Sequence, residues 1–147
     1  MRTAPVALAH LGDDDAIAGA ARAISDLTHA DPLAGEACVL WCIAIDRAVR
    51  EGRLDGARDG LDLLTPAARG RWAALLHEAE REPSRRFRRN GFVVAALQAA
   101  YAAVSQTPVP KDEPCAHLPD ALRAAVHIGH TLPPSVGAPR ASPVPQG

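Results

Sequence analysis

The sequence predicts an all-α protein, and three observations predict it. Apolar residues recur at helical spacing in one segment after another, and no alternating run of strand length appears. Several of these segments also open on a capping residue followed by proline. The clearest is residues 27–45, LTHADPLAGEACVLWCIAI. Asp31 is suited to accept from the unpaired N–H groups of a first helical turn, and Pro32 has no N–H to leave unpaired. Leu33, Ala37, Leu40, Trp41, Ala44 and Ala48 then share one face, while Cys38, Val39, Cys42, Ile43 and Ile45 make most of the remaining circumference apolar. A helix apolar nearly all round is buried on more than one side, so this one is expected at the centre of the fold.

The other elements follow in chain order. Residues 3–10 form a short helix with Pro5 in its first turn, ended by Leu11-Gly12. Asp13, Asp14 and Asp15 open the next helix as capping and dipole-matching acids, and Ile17, Ala20, Ala21 and Ile24 give it an inward face. Arg47, Arg50 and Gly52 are C-terminal signals for the central helix. Residues 54–64 predict a short helix around Leu54, Ala57, Leu61 and Leu64, weakened by Gly56 and Gly60. Thr65-Pro66 starts a helix to about Glu82, with Trp72, Leu75, Leu76 and Ala79 inward and Pro83 as its stop. An Ala-rich helix over 92–105 has Val93, Leu97, Ala100 and Val104 on one stripe. The last helix, 118–129, turns Leu122, Ala125 and Val126 inward. Residues 131–147 are rich in proline and small polar residues, and no packed structure is expected there.

At 147 residues the chain is long enough for one domain with its own core. Apolar residues make up 48% but aromatics only 3%, so alanine, leucine and valine must fill that core. A net charge of −1 argues against a protein that coats nucleic acid. Cys38, Cys42 and Cys115 lack metal-finger spacing, and the first two read as small buried hydrophobes. A reducing, cytoplasmic setting fits them. No apolar run reaches membrane-spanning length, so no membrane partner is expected.

Residue chemistry alone supplies no converged catalytic set. His29, in a loop beside a helix N-terminus, sits where anionic ligands are welcomed, although a lone histidine is more often structural. His127 and His130 are three apart but have no carboxylate at matching spacing. Arg85, Arg86, Arg88 and Arg89 surround Phe87 without a wider basic field, and a solvated interhelical loop is the favoured reading. Asn90-Gly91 is a turn signal that also offers backbone N–H groups.

Four stretches together resemble the ADP-ribosylglycohydrolase family, of the dinitrogenase-reductase-activating type. The N-terminal MRTAPVAL resembles the family's Met-Arg-x-x-Pro segment, and Thr28-His29-Ala30-Asp31-Pro32 its Thr-His-x-(Asp/His)-Pro helix entrance. Asn90-Gly91-Phe92-Val93-Val94 is similar to its Gly-(Tyr/Phe)-Val-Val segment, and residues 120–129 to the helix that leads to its last metal motif. The order agrees with the family over residues 1–130.

The resemblance implies a multi-helix fold that hydrolyses glycosidic bonds to ADP-ribose with two magnesium ions. It makes His29 a substrate contact and places Met1, Arg2, Gly91 and Phe92 beside the same cleft. The family's two acidic magnesium-binding sets find no counterpart here. The chain begins inside the Met-Arg segment, and Thr131-Leu132-Pro133-Pro134 stands where an Asp-x-Asp-Thr/Ser motif is expected. The expectation is therefore a domain over 1–130 truncated at both ends, with the switch after Gly129-His130 marking a shifted reading frame. ADP-ribose or an ADP-ribosylated substrate is the expected partner, no magnesium is expected on this chain, and no residue is assigned a catalytic role. A non-catalytic ADP-ribose-binding or helical interaction module is the alternative. Missing upstream helices are expected to bare apolar faces of the central helix and to promote self-association.

Overall fold

A computed structural model describes residues 3–87, 91–109 and 117–129. Met1, Arg2, Arg88, Arg89, Asn90, Cys115, His130 and the proline-rich segment 131–147 lie outside the described residues. Among those described there is no strand, as the apolar spacing predicts. The helices are α1 (Ala4–Ala9), α2 (Asp14–Asp26), α3 (Pro32–Glu51), α4 (Pro66–Arg81), α5 (Val93–Gln106) and α6 (His117–Gly129). Two 3-10 segments, Gly56–Leu63 and Ser84–Phe87, flank α4.

Helix α3 is the centre, as its apolar circumference predicts. Its start is the predicted one: the Asp31 carboxylate accepts from Leu33 N–H at 2.9 Å with Pro32 in the first turn. Its end is Gly52, whose φ of 68° lies in the left-handed region that glycine enters without strain. Between them Ala37, Val39, Leu40, Cys42 and Ile43 are wholly buried against α1, α2, α5 and the Gly56–Leu63 segment. The expectation that α3 would be left bare is therefore corrected, since helices of this same chain cover it. Burial pushes the Cys38 and Cys42 thiols up, so both behave as small hydrophobes.

The glycines that weaken the helical reading of 54–64 explain its packing. A Cβ at Gly56 would stand 2.5 Å from Arg47 Cβ, and one at Gly60 would stand 3.1 Å from Leu40 Cδ2. With no side chain there, the segment lies directly on α3. It winds as a 3-10 helix instead of the expected α-helix, and its N-terminal neighbour Leu54 stays outside it.

The capping and dipole reading of the acidic triplet holds: Asp13 caps α2 by accepting from Ala16 N–H at 2.9 Å, with Asp14 and Asp15 in the first turn. Three other expectations are corrected. Asp14 also turns to Arg47, which is therefore the hub of an ion network and more than a C-terminal signal. Arg47 reaches Asp14 at 2.6 and 2.9 Å, Asp59 at 2.9 Å and its neighbour Asp46. Asp46 is fully buried and also accepts Gly12 N–H at 2.8 Å, tying the α1–α2 turn to α3. Burial pushes the Asp46 carboxyl up, but Gly12 N–H, Arg47 and Arg50 outweigh it and hold the group below the usual carboxylate range. Asp59 is lowered in the same way, with Arg47 and Arg53 overcoming its burial.

The second correction concerns α5, which buries Leu97 but also Gln98, Ala99, Tyr101, Ala102 and Ala103. Val93, Ala100 and Val104 of the predicted stripe are only half-buried. Packing from α3, α4 and α6 covers more of α5 than one stripe. The third concerns α6 and the end of α2. Leu122 and Val126 are 55% and 54% exposed, and Ile24 is exposed at 46%. Helix α6 instead buries Ala121 and half-buries Ala124, because a small-residue face allows the closest approach to its neighbours.

Candidate functional site

A groove of about 610 Å³ opens where the mouth of α3 faces the start of α5. That volume lies within the usual range of small-molecule sites, roughly 300–1,000 Å³. Its first wall is the end of α2 and the following loop, with Ile24, Leu27, Thr28 and His29. The loop turns tightly because Thr28 N–H and His29 N–H both donate to the Ser25 carbonyl, at 3.0 and 2.9 Å. Asp31, Ala34 and Cys38 of the α3 entrance form the second wall. Gly91, Phe92, Val93 and Ala96 form the third, and Thr3 and Ser25 also line the groove.

The sequence-predicted residues His29, Gly91 and Phe92, which are 62 or more positions apart in sequence between His29 and the other two, all line this groove. Met1 and Arg2 lie outside the described residues, although their neighbour Thr3 is in the lining. Sequence reasoning missed Ile24, Leu27 and Thr28 as groove residues. Ile24, expected inward, is 46% exposed and lines the groove. Thr28 stood beside His29 in the same motif, and its hydroxyl is 2.7 Å from His29 Nδ1.

The electrostatics favour an anionic or oxygen-rich ligand. Two helix N-termini, those of α3 and α5, border the groove. The partial positive charge at such ends and their unpaired N–H groups attract anions. At α3 the Asp31 carboxylate already occupies part of that capacity. At α5 the N-cap is Phe92, whose side chain makes no cap hydrogen bond. The Phe92 ring is about half exposed at the rim, and Leu27 and Ile24 add apolar surface.

Asp31 is the one carboxylate among the described residues of the lining. Among the described residues no group of three or more His, Cys, Asp or Glu side chains could hold a metal ion. The acids that do converge, Asp14, Asp46 and Asp59, meet on the Arg47 guanidinium. A guanidinium among them takes the place a cation would need, so these residues do not fit a magnesium site. The side chain of His127 and all of His130 lie outside what is described. In the arginine segment, Phe87 is buried while Arg86 lies 3.7 and 3.6 Å from Glu78 and Glu82. This agrees with an interhelical turn. No helix among the described residues is long and apolar enough to cross a membrane.

No curated protein and no solved structure matches the chain. The family model described as ADP-ribosylglycohydrolase, however, matches residues 1–131, which include every described helix and the whole lining of the groove. The chain belongs to the ADP-ribosylglycohydrolase family.

Proposed function

We propose that the groove binds ADP-ribose, free or attached to a substrate, and that the 147-residue chain does not hydrolyse it appreciably. The observation that carries this reading is the gathering of His29, Gly91 and Phe92 in one groove between two helix N-termini. Each part of the ligand has a matching feature. The diphosphate suits the partial positive charge at the start of α5, and the exposed Phe92 ring offers a stacking face for the adenine. Gly91, without a side chain, lets the ligand approach the backbone.

The family is one of hydrolases, but catalysis in it by resemblance needs magnesium held by acids. The acids that converge among the described residues, Asp14, Asp46 and Asp59, are engaged with Arg47 instead. Purified protein with magnesium should release no more ADP-ribose from ADP-ribosyl-arginine than a His29→Ala control. Turnover above that control would refute the inactive half of the proposal. The dinitrogenase-reductase-activating subtype and a cytoplasmic location, suggested by the motifs and by the buried reduced thiols, belong to the same proposal.

A specific observation favours self-association as a second reading. Leu118, Leu122 and Val126 recur every four residues along α6 and are each more than half exposed. They form an apolar stripe of the kind that drives association. Sedimentation should show concentration-dependent association that Leu122→Glu abolishes. A monodisperse monomer at all concentrations would refute it.

A further inference from the structure

The Thr28 hydroxyl has one proton and two candidate acceptors. One is His29 Nδ1 at 2.7 Å; the other is the Ser25 carbonyl at 3.4 Å. That carbonyl already accepts from Thr28 N–H at 3.0 Å and His29 N–H at 2.9 Å, which engages both of its lone pairs. A third donor at 3.4 Å is beyond the usual hydroxyl range. Conversely, 2.7 Å is typical for a hydroxyl donor and short for a ring N–H donor. The hydroxyl proton therefore goes to Nδ1.

From this we infer that Thr28 is a positioning residue that fixes the His29 tautomer, so that the ring offers the groove an Nε2–H donor. A neutral imidazole that accepts at Nδ1 carries its proton on Nε2. Nε2 has no protein partner among the described residues, and His29 lines the groove. Such a donor selects for oxygen acceptors, whether phosphoryl, carboxylate or ribose oxygens, and against ammonium or guanidinium groups. This rests on the ADP-ribose reading for the ligand, but the tautomer itself does not.

The test is nitrogen NMR of histidine-labelled protein in alkaline buffer, where the imidazole is neutral, with His29→Gln to assign the signals. Wild type and Thr28→Ser should show an unprotonated Nδ1 and a protonated Nε2. Thr28→Val should gain an Nδ1-protonated fraction and bind ADP-ribose about three- to tenfold more weakly, the worth of one hydrogen bond. Thr28→Ser should stay within about twofold of wild type, since the hydroxyl is kept. A proton on Nδ1 in wild type, or a Thr28→Val ring spectrum identical to wild type, would overturn the inference. An unchanged Thr28→Val affinity would overturn its ligand-facing half. If ADP-ribose bound neither wild type nor variant, the binding reading would fall, and the ring spectrum would still decide the role of Thr28.

Discussion

Arg47→Met should destabilise the protein by about 3–5 kcal/mol, the range for removing one partner of a buried ion pair. The methionine keeps the stem that packs over Gly56 but removes the charge. Asp46, wholly buried, then faces Gly12 N–H with only the more distant Arg50 at 3.4 Å. Asp14 and Asp59 lose the group that joins α2 and the Gly56–Leu63 segment to α3. The loss has a pH signature. Asp46 and Asp59 have lowered folded-state pKa values, so their stabilisation is complete above the ordinary carboxylate pKa of about 4. It is lost as pH falls below that value and through the lowered ones. A protonated Asp46 no longer needs a guanidinium, so the gap between Arg47→Met and wild type should narrow in acid. Urea denaturation at neutral and acidic pH measures both effects, and a gap independent of pH would contradict this role for Arg47.

Trp72→Ala should cost a similar amount, about 3–5 kcal/mol, for a different reason. Trp72 is the largest wholly buried side chain and packs in the core shared by α3 and α4. Its Nε1–H donates to Glu36 at 2.7 Å, and Arg71 reaches the same carboxylate oxygen at 2.6 Å. The indole therefore fills the space behind α3 and anchors α4 to it. Trp72→Phe separates the two contributions. It retains most of the apolar volume and should cost only about 2 kcal/mol, near the value of a hydrogen bond to a charged acceptor. Thermal or urea denaturation checks the order wild type, Phe, Ala. Equal losses in both variants would mean that the hydrogen bond, not the packing, dominates.

The fold class and the central helix were legible because helical periodicity and cap chemistry are local. Asp31-Pro32, Thr65-Pro66 and Gly52 each act within one turn, and the structure uses all three as expected. Which face of a peripheral helix points inward is not local. Leu122 and Val126 looked like a core stripe, yet the alanine face of α6 packs more closely against α5. The Arg47 network was hidden for the same reason. Asp14 is 33 residues from Arg47, and capping explained the acidic triplet without it. In the groove, His29, Gly91 and Phe92 were found through motif resemblance. Their joint position follows from α3 and α5 presenting their N-termini to one space, which no spacing in the chain encodes.

Calorimetric titration of ADP-ribose into the whole chain, with chelator present, reads the groove directly. Wild type should bind saturably, with an affinity unchanged by magnesium. His29→Ala should bind at least about tenfold more weakly, as expected for a lost hydrogen bond to a charged ligand. Wild-type protein that gives no saturable binding, or a His29→Ala variant that binds as tightly as wild type, would contradict the assignment of this groove to ADP-ribose.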